Sequence, residues 1–239
     1  MEKLDLLCFA AHPDDTELAC SGTILHHIHL GYKVGIVDLT QGELGTRGSA
    51  ELRAIEAANS AKILGISTRD NLRLADGFFQ KNRDSLTRVI EKIRQYQPEI
   101  ILCNAESDRH TDHGKGADLV SEAAFLSGLI KIETYHNGVK QEAWRPKQIY
   151  HYIQDRLMKP DLVVDITPYF DKKMESIKAF SSQFYDPNNT EPETPISSLD
   201  FMKYVEGRAR EFGRLINVTF GEGYTVKRPI GSTNLMDQL

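Results

Sequence analysis

The sequence is short of the features that staple, anchor or spread a chain. Three cysteines, Cys8, Cys20 and Cys103, are scattered through 239 residues and form no C-x-x-C pair. That excludes a disulfide framework and a thiolate zinc site. Cys8 and Cys103 lie in apolar runs, where buried, inert thiols are expected, and a reducing compartment follows. No apolar stretch approaches the roughly 20 residues of a membrane helix. Residues 1–7 carry charges and lack the apolar segment of a secretory signal. The expected location is the cytoplasm, with no membrane partner. Positive charge is not in excess either: 29 Lys and Arg face 34 Asp and Glu, a formal net charge of −5. This argues against nucleic acid as a partner, which would require phosphate neutralisation. A small anionic ligand stays open, because net charge averages over the whole surface.

What is present is an alternation of short apolar runs and longer segments of helical period. Leu6 to Ala11, Val34 to Leu39, Leu72 to Leu74, Ile100 to Cys103, Gln148 to Ile153 and Leu162 to Ile166 read as strands. Glu17 to Leu30, Ala50 to Leu64, Arg83 to Tyr96, Lys115 to Ser127 and Asp200 to Leu215 read as helices, with Gly65 as a C-cap and Pro98 as a stop. Such alternation predicts an α/β fold: a mostly parallel sheet with helices on both faces. The length allows one large domain or two small ones. No linker interrupts the first 185 residues, so residues 1–239 are expected to form a single domain. Residues 186–198 (DPNNTEPETPISS) contain three prolines and almost no apolar side chains, and are expected to be an irregular loop or a flap.

In an open parallel sheet, ligands bind beyond the carboxyl ends of the strands. The distinctive polar residues fall there: His12-Pro13-Asp14-Asp15 after the first strand, Gln41-Gly42-Glu43 after the second, Asp76-Gly77 after the third, and Asp108 to His113 after the fourth. His12, Asp15 and His113 make a two-histidine, one-carboxylate set suited to Zn²⁺ or another divalent ion such as Fe²⁺. Taken alone, Asp14 or Asp15 capping the next helix is an equal reading of HPDD. Jointly with the second cluster, the metal is favoured. Asp14, beside two ligands, is then placed as a general base for a metal-bound water. His110 faces the same cavity, with Asp112 expected to orient it and favour its imidazolium form for oxyanion stabilisation.

HPDD after the first strand, with H-x-D-H after a later one, resembles the PIG-L/LmbE-like zinc-dependent N-deacetylases. The run Gly42 to Gly48 and Arg53 fit the same family, over nearly the whole chain. Ser182 to Tyr185, Gly207 to Arg210 and Gly221 to Tyr224 are similar to its bacillithiol-biosynthesis branch, which removes acetate from N-acetylglucosaminyl malate. The resemblance implies a Rossmann-like fold, a metal on His12, Asp15 and His113, Asp14 as base and then acid, and His110 assisting. It also implies a homo-oligomer. Malate would bring two carboxylates, for which arginine is the bidentate partner. Arg53 and Arg109 are the expected substrate-binding residues, with Glu43 for sugar hydroxyls and Arg47 a lesser candidate. The expected partner is thus a small, anionic N-acetyl sugar. Three alternatives stand beside it: deacetylation of another N-acetyl sugar, a metal-dependent phosphoesterase, and a nucleotide-binding module. The last lacks G-x-G-x-x-G after the first strand.

Overall fold

The computed structural model describes residues 3–234 and Met236. The few terminal residues of the expected 1–239 domain outside that set are 1, 2, 235 and 237–239. Strand β1 (Leu6–Ala10) leads into α1 (Asp15–His29), β2 (Val34–Thr40), α2 (Ala50–Leu64), β3 (Thr68–Leu74), α3 (Arg83–Tyr96), β4 (Ile100–Cys103) and α4 (Thr111–Leu126). A small hairpin, β5 (Tyr135–His136) and β6 (Val139–Lys140), precedes β7 (Gln148–Tyr152) and β8 (Leu162–Asp165). Then come α5 (Phe170–Lys178), α6 (Leu199–Leu215) and β9 (Gly221–Thr225).

The seven-stranded sheet has the order β3-β2-β1-β4-β7-β9-β8. The first five run parallel, and β9 lies antiparallel between β7 and β8. Period-two alternation sends successive side chains to opposite faces. Leu7 and Phe9 join Val37, Leu39 and the buried sides of α3 and α4, whereas Leu6 and Cys8 join Ile36, Cys20 and Ile24 under α1. This is the expected single-domain α/β fold with helices on both faces. Among the described residues no helix is long and apolar enough to cross a membrane.

Local chemistry explains most of the element ends. Ser49 caps α2 by accepting from Leu52 N, Asn82 caps α3 by accepting from Ser85 N, and Gly65 closes α2 in the left-handed region. Helix α4 begins four residues before the expected Lys115, because the His110 ring nitrogen accepts from Asp112 N as its N-cap. Strand β9 and helix α5 were not expected. The glycines of Gly221-Glu222-Gly223 weigh against a strand in sequence. Here they permit close packing: a Cβ on Gly223 would stand 2.9–3.0 Å from the Phe212 ring of α6.

Candidate active site

Strand order reverses between β1 and β4, since β2 lies on one side of β1 and β4 on the other. That crevice is where an open α/β sheet leaves room for a ligand. The turn from β1 into the start of α1 carries His12 to Asp15, and the loop after β4 with the first turn of α4 carries Asp108 to His113. Both open into a cavity of about 420 Å³.

The tight turn out of β1 holds Asp14 at φ 126°, a conformation that side chains seldom adopt. Its carboxylate makes no cap to α1. It is buried and faces the Arg53 guanidinium at 3.3 Å. Asp15 makes no cap either, and its carboxylate points into the sheet end. One oxygen accepts from His12 N (2.9 Å) and Asn104 Nδ2 (3.0 Å), and the other from Gln154 Nε2 (2.7 Å). Helix capping is therefore not what holds either aspartate.

Two imidazoles converge on Asp15. His113 Nε2 lies 3.1 Å from one oxygen, and His12 Nδ1 lies 3.7 Å from the other. Their outer nitrogens are held by further carboxylates. His113 Nδ1 meets Asp108 at 2.7 Å, and His12 Nε2 meets Asp76 at 3.0 Å and Asp112 at 3.6 Å. A ring nitrogen turned inward with its other nitrogen on a carboxylate is the arrangement that orients histidine ligands and raises their basicity. The ring nitrogens of His12, His110 and His113 also lie within 4.8 Å of one another, as do ligand atoms of His12, Asp76 and Asp112.

Electrostatics show what this cluster lacks. Burial alone would lower the pKa of His12, but hydrogen bonds to Asp112 and Asp76 and the charge of Asp15 raise it to about 10. Burial likewise opposes His113, and the Asp15 charge and the Asp108 hydrogen bond lift it to about 9. Asp15 is held well below the usual carboxylate range, with His113 overcoming its burial. Buried carboxylates thus draw positive charge to this point, and protons on the two imidazoles supply it. A divalent cation fits the same demand, with neutral imidazoles as ligands.

Asp14 differs. Burial pushes its carboxyl up to about 7, and the Arg53 charge restrains the rise. A carboxylate that titrates near neutrality is suited to take and return a proton.

The arrangement revises several sequence expectations. The Asp112 carboxylate does not orient His110. It accepts from Gly77 N (2.7 Å) and Lys115 Nζ (3.0 Å), while the Asp112 backbone N–H donates to His110 Nδ1 (3.2 Å). Occupying that lone pair disfavours the imidazolium form. Burial and the neighbouring His12 and His113 also lower the His110 pKa. His110 is therefore a neutral imidazole whose Nε2–H is left to donate.

Arg53 lines the cavity, but its guanidinium is engaged by Asp14, by Pro13 O (3.2 Å) and by a short hydrogen bond to Gln183 Oε1. Gly42 admits it, since a Cβ there would stand 2.5 Å from Arg53 Nη1. Arg109 is half-exposed at the rim and paired with Asp155 at 2.7 Å. Glu43 is exposed. It accepts from Asp76 N (2.9 Å) and Gln41 N (3.2 Å), so it shapes the loops and is not turned to a ligand. Arg47 donates to Pro192 O (2.6 Å) and Glu191 O (3.1 Å), tying residues 186–198 to the glycine-rich loop. That segment has only turns and bends, yet Thr194, Pro195 and Ile196 form part of the cavity wall.

Asp76, Asp108, Asn104 and Gln154 received no role from sequence. Each follows the end of a parallel strand, so topology was the signal available for them.

Residues 7–124 match the family described as PIG-L: GlcNAc-PI de-N-acetylase. The chain is 28% identical to 4-oxalmesaconate hydratase from Pseudomonas putida (74% of this chain, 73% of that one). It is 27% identical to diacetylchitobiose deacetylase from Thermococcus kodakarensis (75% and 70%). It is 25% identical to a probable N-acetyl-alpha-D-glucosaminyl L-malate deacetylase 2 from Bacillus anthracis (72% and 78%). Among solved structures, the conserved protein TT1542 from Thermus thermophilus superposes with a TM-score of 0.84 at 29% identity, covering 96% of this chain and 97% of that one.

Proposed function

We propose that this chain, whose residues 7–124 match the PIG-L (GlcNAc-PI de-N-acetylase) family, is a metal-dependent hydrolase that removes acetate from an N-acetylglucosamine conjugate. N-acetylglucosaminyl L-malate, a precursor in bacillithiol biosynthesis, is the substrate first in line. The observation that carries this reading is the convergence of His12 Nδ1 and His113 Nε2 on Asp15, with their outer nitrogens on Asp76, Asp112 and Asp108.

His12, Asp15 and His113 are the ligands of the proposed ion, Zn²⁺ or Fe²⁺. When bound, such an ion polarises an amide carbonyl and makes water acidic enough to lose a proton near neutral pH. The remaining work falls to the chain. Asp14 Oδ takes the proton from the attacking water and later returns it to the leaving amine nitrogen. Arg53 keeps that carboxylate in place and ionisable near pH 7. The His110 Nε2–H donates to the oxygen that gains charge as the carbonyl becomes tetrahedral. Asp112 acts on His12 through its carboxylate and on the His110 ring through its own backbone N–H, as a positioning residue. Cytoplasmic location and homo-oligomeric assembly belong to the same proposal.

The test is acetate release, with the ion supplied, from N-acetylglucosaminyl malate, N-acetylglucosamine and diacetylchitobiose side by side. Acetate is expected from at least the first. His113→Ala should cost metal affinity, and wild-type affinity in that variant would remove it from the ligand set. No acetate from any of the three overturns the proposal. The relationship to 4-oxalmesaconate hydratase motivates a second reading, addition of water to that compound by the same base. Its consumption without acetate release from the sugars would favour it.

A further inference from the structure

The cavity reaches beyond the histidine cluster to a wall made by Thr194, Ile196 and, from α6, Phe201, Val205 and Arg208. The cationic side chains around it are not equivalent. Arg53 is engaged by Asp14, Pro13 and Gln183, and Arg109 by Asp155. Arg208 lies in the same lining with no ion pair or hydrogen bond among the described residues. Its guanidinium carbon rests 4.5 Å from the Tyr204 ring centroid, a cation–π contact that uses none of its N–H donors. Its Nε is buried with no hydrogen-bond partner among the described residues, as is Thr194 Oγ1 in the same lining; Arg53 Nε is likewise unpartnered, but the rest of that guanidinium is engaged.

A buried donor without an acceptor costs free energy unless a ligand satisfies it. The planar guanidinium offers a two-pronged match to a carboxylate. We infer that Arg208, with Thr194 in the same cavity lining, is the receptor for a carboxylate on the non-reacting end of the substrate. In this role it replaces Arg53, whose charge serves the base. The inference rests on the proposed deacetylase reading and specifies it: the conjugate is an acetylated amino sugar bearing an acidic aglycone. Anchoring at Arg208 would contribute to binding more than to chemistry, because it holds the non-reacting end of the substrate.

The test compares wild type with Arg208→Met, which keeps the stem over Tyr204, and Arg208→Lys, which keeps a charge without the planar fork. KM and kcat are measured with N-acetylglucosaminyl malate and with neutral N-acetylglucosamine, and binding of free L-malate is followed by calorimetry. Arg208→Met is expected to raise KM for the malate conjugate about 10- to 100-fold, with kcat and the neutral substrate nearly unchanged. It should weaken L-malate binding to a similar degree, and Arg208→Lys should recover part of both. Equal losses on both substrates, or none on either, would overturn the assignment. If wild type releases acetate from neither sugar, the deacetylase reading is what fails. L-malate binding then still decides the carboxylate site, since binding insensitive to Arg208→Met overturns it.

Discussion

Replacing Asp14 by Asn is expected to stabilise the metal-depleted protein while removing the proposed base. Burial moves the Asp14 carboxyl from an ordinary 3.8 up to about 7, and Arg53 only restrains that rise. Across this interval the folded protein holds a proton that the unfolded chain has already released. Stability contributed by this group therefore falls as pH rises from about 4 to about 7, and is level above. At roughly 1.4 kcal/mol per pH unit, the deficit reaches about 4 kcal/mol by pH 8. The amide introduced by Asp14→Asn stands for the protonated carboxyl and never incurs it. For a chain of this size, each kcal/mol moves Tm by roughly 2–4 °C, so the variant should melt about 8–16 °C higher at pH 8. The backbone strain at φ 126° is common to both chains and cancels. Other titrating groups cancel in the same difference. Thermal melts followed by circular dichroism after chelation, at several pH values from 4 to 8, give the difference directly. A gap that does not grow with pH, or an unchanged Tm at pH 8, refutes burial as the cause of the raised pKa.

Arg53→Met removes the charge that restrains Asp14, so the acidic limb of kcat/KM should move to higher pH by about one unit or more. An unmoved limb would detach Arg53 from the base. Lys173→Met leaves Glu222 buried without its partner at 2.8 Å, and should cost about 3–5 kcal/mol in urea unfolding. A cost below ~1 kcal/mol would mean that the Gly22 and Thr23 amides alone satisfy Glu222. Arg47→Ala removes two of the hydrogen bonds that tie Glu191 and Pro192 to the glycine-rich loop, leaving Gly48 N on the Glu191 carboxylate, and limited proteolysis should then cut within 186–198 faster while Tm changes little. Unaltered cleavage would show that other contacts hold the segment.

Much of the site was legible because β1, β2, β3 and β4 run parallel. Parallel strands deliver the residue after each strand to one edge, so HPDD and Asp108 to His113 had to meet once the alternation was recognised. Helices α2 and α3 were legible to the residue, since Ser49, Asn82 and Gly65 are local signals. Strand β9 was not, because Gly223 is there for the sake of Phe212, a partner whose proximity no local pattern encodes.

The sequence by itself determined the fold class, the donor types at the strand ends and the meeting of His12, Asp15 and His113. These follow from periodicity and chain direction, which are properties of short segments. Which way each charged group points was decided only in the folded chain. Arg53 turned to Asp14, the Asp112 carboxylate to Gly77 and Lys115, Glu43 to Asp76 N, and Arg208 to the Tyr204 ring with no hydrogen bond or ion pair among the described residues. A side chain's charge is fixed by its identity. Its partner is fixed by what other segments bring within about 3 Å of it in a desolvated site, where an unmatched charge is too costly to leave.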